Sequence, residues 1–141
     1  MNRTGTVDRY LADVPFFGGC SAKELAKIAS LATTLNLPAG KELTTEGRMG
    51  REFSVIIDGH ATVGLHGAEV TTLGPGDFFG EIALLDGGPR TATVTAMTDV
   101  TVAVIGHHEF VTMIEDVPFM ARKLLVGVAA RLRQADSRLG V

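Results

Sequence analysis

The central part of the chain is divided by glycine into short β-forming segments, and this pattern restricts the fold more than any other feature. Between residues 33 and 106, glycine recurs at intervals of a few residues. Small apolar residues and threonine alternate over residues 91–96, and valines recur at every second position over 100–104, as expected for strands with one buried face. Many short strands joined by glycine-rich turns are typical of a sandwich or a barrel, so we expect a mainly β fold of the jelly-roll type.

One dipeptide inside this region predicts a specific strand pairing. Asp58-Gly59 separates the apolar segment 53–57 from the segment Ala61–Leu65. Asp-Gly is a strong signal for a two-residue turn between paired strands. The sequence therefore predicts a hairpin at this position.

The N-terminal section, residues 1–32, is predicted to be helical. Ser21 and Glu24 have the spacing of a capping box, and Leu25 and Ile28 then fall on one helical face. The apolar segment 14–17 is interpreted as a linker that anchors this helix.

The C-terminal section, residues 107–141, is also predicted to be helical. A short helix is expected to end before Pro118. A helix of about twenty residues then carries an apolar stripe, which consists of Val117, Ala121, Leu124, Val128, Leu132, Ala135 and Leu139. The stripe is expected to cover the barrel, and pairing with a second copy of the chain stays open. A row of basic residues, interpreted as a solvated face, is formed by Arg122, Lys123, Arg131, Arg133 and Arg138.

Length and charge exclude several classes of protein. The 141 residues suffice for one domain, and 13 Lys and Arg against 16 Asp and Glu argue against a nucleic-acid surface. No apolar run reaches the roughly 18 to 20 residues of a membrane span, and residues 1–10 lack the apolar stretch of a signal peptide. Cys20 is the only cysteine, so no internal disulfide is expected and a cytoplasmic location is favoured.

Residues 76–94 contain the groups that are predicted to bind a ligand. A strand end meets Gly80, and a short run of helix formers follows before Pro89 extends the chain again. The start of this helical turn offers free amides to an anion, and Arg90 can pair with a phosphate through two nitrogens. The carboxylate of Glu81 would repel a phosphate, so a pair of sugar hydroxyls is its natural partner. These residues predict a receptor for a sugar phosphate with an apolar remainder.

The same stretch closely resembles the phosphate-binding cassette of the cyclic nucleotide-binding domain family. That family includes the regulatory subunits of cAMP-dependent kinase and the sensor half of catabolite activator proteins. The matching residues are Phe79-Gly80-Glu81-Ile82-Ala83-Leu84-Leu85 and Pro89-Arg90-Thr91-Ala92-Thr93-Val94. The glycine-marked strands around Glu46-Gly47, Gly59 and Val63 are similar too. Residues 14–17 and 21–31 resemble the family's N-terminal helices, so the resemblance covers nearly the whole chain.

The resemblance implies a role for each residue of the site. Glu81 would bind the ribose 2′-hydroxyl, and Arg90 would neutralise the cyclic phosphate. Amides near Ile82, Ala83 and Ala92 would hold the phosphate oxygens while Gly80 lets the backbone approach, and Val63 and Val70 would line the base or ribose. The C-terminal helix would act as a lid over the base, through residues that the sequence does not identify.

The resemblance also bears on which nucleotide is bound. Threonine directly after this arginine, here Thr91, accompanies cGMP preference in the kinase branch of the family, so cGMP stays the alternative. Bacterial-type members often carry Ser or Thr at this position and are similar to cAMP receptors, and we therefore favour cAMP.

The predicted function is therefore that of a regulatory sensor and not of an enzyme. We expect no catalytic residues, no metal and no cofactor. Ligand binding would re-dock the C-terminal helices and change the surface that is presented to an unidentified protein partner. We expect the chain to contact neither nucleic acid nor membrane. The chain has no helix-turn-helix module before Val141, so a free-standing sensor, one domain over residues 1–141, is expected.

Two alternatives stay open. One is a ligand-free jelly-roll module for protein interaction, with a degenerate cassette. The other is a metal-dependent barrel enzyme, which is disfavoured because the four histidines include no H-x-H pair. Those histidines are His60, His66, His107 and His108.

Overall fold

The computed structural model describes residues 11–138, which form two antiparallel sheets with helices on either side. The mainly β jelly-roll expected from the glycine-divided strands is thereby confirmed. The predicted features of residues 1–10 and the last stripe position, Leu139, lie outside the described residues. In the described range, no helix combines the length and the apolar content needed to span a membrane.

Within residues 11–138, eight strands make up the two sheets, and four α-helices accompany them. The strands are β1 (Thr33–Leu37), β2 (Glu42–Thr44), β3 (Glu52–Asp58), β4 (Ala61–Leu65), β5 (Ala68–Leu73), β6 (Phe78–Phe79), β7 (Thr93–Ala96) and β8 (Val100–Gly106). One sheet has the order β1-β8-β3-β6 and the other β2-β7-β4-β5. The helices are α1 (Ala22–Leu31), α2 (Glu81–Asp86), α3 (His107–Asp116) and α4 (Pro118–Arg138).

The predicted hairpin at Asp58-Gly59 is wrong, because β3 and β4 belong to different sheets. Gly59 has φ 86°, and its backbone is pressed so closely on Asp99 that a Cβ would overlap the carbonyl oxygen of that residue. The amide of His60 donates to Oγ1 of Thr98 at 3.0 Å. These contacts fix a corner that leads the chain from one sheet to the other.

The hairpin of this region lies instead at His66-Gly67, between β4 and β5, where Leu65 is paired with Ala68. His66 has φ 53° and Gly67 φ 82°, and two left-handed residues are what a type I′ turn requires. Glu46 supports the turn, since its carboxylate accepts the His66 amide at 2.8 Å and lies 3.1 Å from Nδ1 of the ring.

The apolar core has two layers, one on each side of the sheet that contains β3. Between the sheets lie Ile56, Phe79, Val94 and Val102, among others. Beneath the helices lies a cluster of aromatic rings whose centroids are 4.9 to 6.0 Å apart; its members are Phe16, Phe17, Phe53, Phe78 and Phe110. Strands β3 and β8 are therefore buried on both faces, and strict alternation is lost along them.

The N-terminal section is built largely as its sequence predicts. The capping box of α1 is present, with the Glu24 amide donating to Oγ of Ser21 at 3.1 Å and the Ser21 amide to Oε1 of Glu24 at 2.8 Å. The apolar linker contains a 3₁₀ turn, Pro15–Phe17, whose two phenylalanines are buried.

The predicted stripe describes only the first half of α4. Val117 and Leu124 are buried and Val128 is partly buried, whereas Leu132 is 61 % exposed. Beyond Val128 the helix leaves the aromatic core, and its inward face carries Arg131 and Gln134, which line a cavity. A polar environment replaces the apolar one, so an apolar stripe has nothing to cover there.

Candidate functional site

The site begins where β6 ends at Gly80. The preceding strand is held by β3, with Phe78 opposite Val55. Gly80 has φ 93°, which glycine adopts without strain. A Cβ there would lie 2.6 Å from the carbonyl oxygen of Glu52 and 2.7 Å from Nη1 of Arg90. This position therefore requires glycine for its conformation and also for space.

Gly80 turns the chain directly into the short helix α2. The helix has six residues, and Gly87 ends it at φ 72°. Its first amides have no acceptor four residues earlier in the helix, because the chain before them is not helical. Two residues of this first turn, Ile82 and Ala83, line the cavity beside the helix.

Arg90 is fixed at both its backbone and its side chain. Its amide donates to the Arg48 carbonyl at 2.8 Å, and its carbonyl accepts from the Gly47 amide at 2.9 Å. Nη1 donates to the carbonyl of Gly80 at 3.3 Å. The residue is only 8 % exposed, and among the described residues no carboxylate forms an ion pair with it.

The electrostatic environment of Arg90 favours an anion. Burial lowers the pKa of its guanidinium, while the charges of Glu52 and Glu81 act in the opposite direction. A guanidinium nevertheless stays protonated in proteins. Arg90 is thus a desolvated cation whose charge is available to a ligand.

Glu81, the first residue of α2, is 3 % exposed, and its two carboxylate oxygens have different environments. Oε1 accepts a hydrogen bond of 2.7 Å from Nη1 of Arg131. Oε2 is buried and has no hydrogen-bond partner within the described part of the chain. A buried acceptor without a donor is costly, so Oε2 marks a position for a donor from outside the chain.

Arg131 of α4 is not the solvated residue that its sequence position suggests. Besides Glu81 it contacts Phe78, since Nη2 donates to the Phe78 carbonyl and the guanidinium carbon lies 4.2 Å from the ring centroid. Lys123 of the same predicted row donates to the Pro15 carbonyl at 3.2 Å. The solvated-face interpretation holds for Arg122 and Arg133, which are exposed; the side chain of Arg138 lies outside the described structure.

A cavity of about 540 Å³ lies between these groups. Its size falls within the ~300 to 1,000 Å³ that small-molecule sites usually have. The sheet containing β4 contributes Thr44, Val63, Thr71, Thr72, Leu73 and Val94; the segments around α2 contribute residues 76–83 and 90–92; α4 contributes Gly127, Ala130, Arg131 and Gln134.

Comparison with known proteins identifies the family to which the chain belongs. The family model of the cyclic nucleotide-binding domain matches residues 34–117, which include the strands β2 to β8, α2 and Arg90. The chain belongs to the cyclic nucleotide-binding domain family. This is a family of regulatory domains and not of enzymes, so its membership confirms the prediction of a non-catalytic chain.

Two curated proteins illustrate the similarity in sequence. The cAMP-dependent protein kinase regulatory subunit of Emericella nidulans is 36 % identical over 125 residues, or 87 % of this chain and 30 % of that protein. The CRP-like cAMP-activated global transcriptional regulator of Mycobacterium tuberculosis is 29 % identical over 138 residues, or 94 % of this chain and 62 % of that protein. The chain thus spans less than two thirds of either relative.

A solved structure extends the similarity to the fold. The catabolite activator protein of Thermus thermophilus matches with a TM-score of 0.80 and 30 % identity, over 89 % of this chain and 62 % of that one.

The cavity brings together most of the residues that the sequence predicts for the site of this family. These are Val63, Gly80, Glu81, Ile82, Ala83, Arg90, Thr91 and Ala92. Val70 is not among the lining residues and is 39 % exposed. The pairing of β4 with β5 shifts at this point, so that Val63 lies opposite Thr71 but Gly64 opposite Glu69. Val70 is the extra residue of this bulge, and Thr71 takes the place that simple alternation assigns to Val70.

The sequence predicts that the C-terminal helix covers the site, but sequence reasoning did not identify which residues of α4 contribute to it. Its lining residues Gly127, Ala130, Arg131 and Gln134 are spaced as i, i+3, i+4 and i+7, which is the spacing of one helical face. This face was detectable in the sequence. It is easily overlooked because Arg131 stands close to other basic residues along the chain, although it shares a face with Gly127.

The histidines show no metal-binding arrangement in the part of the chain that the structure describes, where no group of three or more metal-ligating side chains occurs. His66 pairs with Glu46, and His107 and His108 lie edge to face with their centroids 5.6 Å apart.

Proposed function

We propose that this chain is a regulatory sensor that binds cAMP, with the cyclic phosphate at Arg90 and the ribose at Glu81. One observation carries the proposal. Among the described residues, a buried guanidinium without a carboxylate partner and a buried carboxylate oxygen without a donor line the same cavity. A ligand that carries an anion beside a hydroxyl group would complement both groups at once.

The phosphate end of the ligand is assigned to Arg90 and the neighbouring amides. A guanidinium binds a phosphate through two parallel hydrogen bonds, and such bonds are strong where water is excluded. The residues Ile82, Ala83 and Ala92 line the same cavity, and their backbone amides would hold the remaining oxygens. Glycine at position 80 lets this backbone approach the ligand closely.

The nucleoside end of the ligand is assigned to Glu81 and the opposite sheet. The oxygen Oε2 would accept a hydrogen bond from the ribose 2′-hydroxyl. Val63 and Thr71 of the sheet, with Gln134 of α4, would enclose the base. The choice of cAMP over cGMP is supported by the two curated relatives, whose names specify cAMP.

Signalling is proposed to run through α4. This helix contributes Arg131 to the site, so a ligand that binds Glu81 changes the free energy of the docked position of α4. Leu125, Val126 and Leu132 are exposed on α4 and offer an apolar surface to a protein partner or a second copy. We place this sensor, as one domain over residues 1–141, in the cytoplasm.

A thermal-shift panel tests the proposed function. The chain is melted alone and with cAMP, cGMP or linear 5′-AMP, which keeps the base and ribose but lacks the cyclic ester. We expect cAMP at about 100 times its Kd to stabilise the fold by about 2.7 kcal/mol and to raise Tm by several degrees. Linear AMP should have a much smaller effect. If no cyclic nucleotide shifts Tm, the chain is a ligand-free interaction module instead.

A further inference from the structure

Thr44, the last residue of β2, places a hydroxyl group at the wall of the cavity and is only 9 % exposed. The hydroxyl makes two hydrogen bonds to the segment that leads into β7. Oγ1 donates to the carbonyl of Ala92 at 3.0 Å and accepts from the amide of Val94 at 3.2 Å. A hydroxyl has a single hydrogen, so its capacity as a donor is used on Ala92.

These two bonds occur where the pairing of β2 with β7 is irregular. Glu42 lies opposite Thr95 but Thr44 lies opposite Val94, so two steps along β2 correspond to one step along β7. Such a shift disrupts the backbone ladder locally. At this point a side-chain hydroxyl supplements the ladder and holds the carbonyl of Ala92.

The residues after Thr44 hold the neighbouring part of the cassette. The Glu46 amide donates to Oγ1 of Thr93 at 3.0 Å, and the Gly47 amide donates to the Arg90 carbonyl at 2.9 Å. The end of β2 and the loop after it are therefore bonded to the cassette at several successive residues.

The orientation of the backbone at Ala92 matters for an anion in the cavity. Ala92 lines the cavity and precedes β7, so it does not belong to a strand. A carbonyl oxygen that turned toward a phosphate would repel it, whereas backbone amides attract anions. Because Thr44 accepts no other role for its hydrogen, the Ala92 carbonyl can turn toward the ligand only by giving up this hydrogen bond.

The choice of threonine at position 44 also indicates that the hydroxyl is needed. Valine has nearly the same shape and would line the cavity without burying a polar group. A buried hydroxyl is unfavourable unless hydrogen bonds compensate it. The two hydrogen bonds are therefore the property that threonine provides here.

We propose that Thr44 is a positioning residue of the ligand site, which fixes the backbone of Ala92 for binding one oxygen of the cyclic phosphate. It acts through Ala92, since the hydrogen of its own hydroxyl is already donated. This inference rests on the proposed function, because the phosphate is that of a cyclic nucleotide. It adds a residue of β2, outside the cassette, to the groups that determine affinity.

Thr44→Val tests the proposal, because it removes both hydrogen bonds and nearly keeps the shape. We expect cAMP binding to weaken about 10-fold in titration calorimetry. Thr44→Ser keeps the hydroxyl and should stay within about threefold of the wild type. Unchanged affinity in the valine variant would overturn the proposal. A loss in the serine variant as large as in the valine variant would assign the effect to the methyl group and overturn it too.

Thr62→Val is the matched control in the same sheet. The Thr62 hydroxyl donates to the Thr95 carbonyl at 3.5 Å. Val63 lines the cavity, so its neighbour Thr62 lies on the opposite face of β4. This variant should change the affinity for cAMP less than about twofold. A loss equal to that of Thr44→Val would show that any missing threonine hydroxyl of this sheet weakens binding, and would contradict the proposal.

Two phosphorothioate forms of cAMP separate positioning from a general loss of stability. Each diastereomer carries sulfur in place of one exocyclic phosphate oxygen, and sulfur is a weak hydrogen-bond acceptor. For the diastereomer whose sulfur takes the place of the oxygen bound by Ala92, Thr44→Val should cost less than about threefold, because that hydrogen bond is already weakened. For the other diastereomer the loss should stay at about 10-fold. Equal losses for both would show that Thr44 does not act through one phosphate oxygen.

Thr44→Cys takes the place of the valine variant if the latter does not fold. A thiol fills similar space and forms only weak hydrogen bonds, so the same difference between the diastereomers is expected. If the wild type binds no cyclic nucleotide, the proposed function and this inference both fail. Wild-type binding with equal losses for the two diastereomers rejects the inference alone.

Discussion

The guanidinium of Arg90 lies directly against the backbone of Gly50, so closely that a Cβ on Gly50 would overlap Nε. The φ of Gly50 is not in the left-handed region, so any residue could adopt its backbone conformation. Space for the arginine is therefore what position 50 has to provide. Gly50 and Gly80 border the Arg90 side chain from two segments and fix where the cation points.

Gly50→Ala is expected to displace the Arg90 side chain without straining the backbone. Overpacking of this kind costs about 1 to 3 kcal/mol of folding stability. Because relieving it moves the guanidinium away from the position that binds the phosphate, we expect the variant to bind cAMP more weakly than the wild type. Gly64→Ala is the matched control, because its Cβ would lie 3.6 Å from the Ala68 carbonyl oxygen, an ordinary contact. Calorimetry on both variants checks this, and equal affinities would show that the Arg90 position is not set by Gly50.

Arg90→Ala is expected to weaken cAMP binding by about 2 to 5 kcal/mol, or ~30-fold to a few thousandfold, because the desolvated phosphate loses its counter-charge. Arg51→Ala removes an exposed arginine from the same region and serves as the control. Titration calorimetry measures both. Unchanged affinity in the Arg90 variant would remove this residue from the phosphate site.

The fold and most of the site were predictable because they depend on local pattern. The strands are marked by the glycines between them and by the alternation of apolar and polar residues along them. The cassette from Phe79 to Val94 supplies seven of the eight predicted site residues that line one cavity. The capping box of α1 is likewise a property of neighbouring residues, Ser21 and Glu24. Short-range sterics and hydrogen bonding decide such features, and both can be read from the sequence.

The features that escaped prediction depend on contacts between residues that are far apart in the sequence. The corner at Gly59 is set by Asp99, and the bulge at Val70 is set by the pairing of β5 with β4. Arg131 lies 50 positions from Glu81 along the chain, and only the docking of α4 brings them together. Single-residue patterns carry no information on such pairings.

Glu81→Ala is expected to lose about 1.5 to 3 kcal/mol of cAMP affinity, because a charged acceptor for the ribose hydroxyl is removed. The loss should be smaller for 2′-deoxy-cAMP, which lacks the hydroxyl donor. Competition binding with both ligands measures the difference. If the wild type binds the deoxy ligand as tightly as cAMP, Glu81 does not contact the 2′-hydroxyl.

The thiol of Cys20 is expected to react slowly. Burial raises the pKa of this thiol above its ordinary value of 9.0, the charge of Glu24 raises it further and that of Lys123 opposes the shift. A raised pKa lowers the fraction of reactive thiolate near pH 8. A colorimetric thiol reagent should therefore modify the folded chain more slowly than the chain in urea. Equal rates in both states would contradict the contact of Cys20 with Met120, whose sulfur lies 3.6 Å away.

Thr91→Ala tests which base the site prefers. Thr91 lines the cavity directly after Arg90, within the region that the ligand would occupy. If its hydroxyl bonds a polar group of guanine, alanine should lower cGMP affinity by about 1 kcal/mol, or ~5-fold, and leave cAMP within about twofold. Thr91→Ser keeps the hydroxyl and should leave the ratio of the two affinities unchanged. A constant ratio in the alanine variant as well would exclude Thr91 from base selection, since a hydroxyl that discriminates between the purines must change their relative affinity when it is removed.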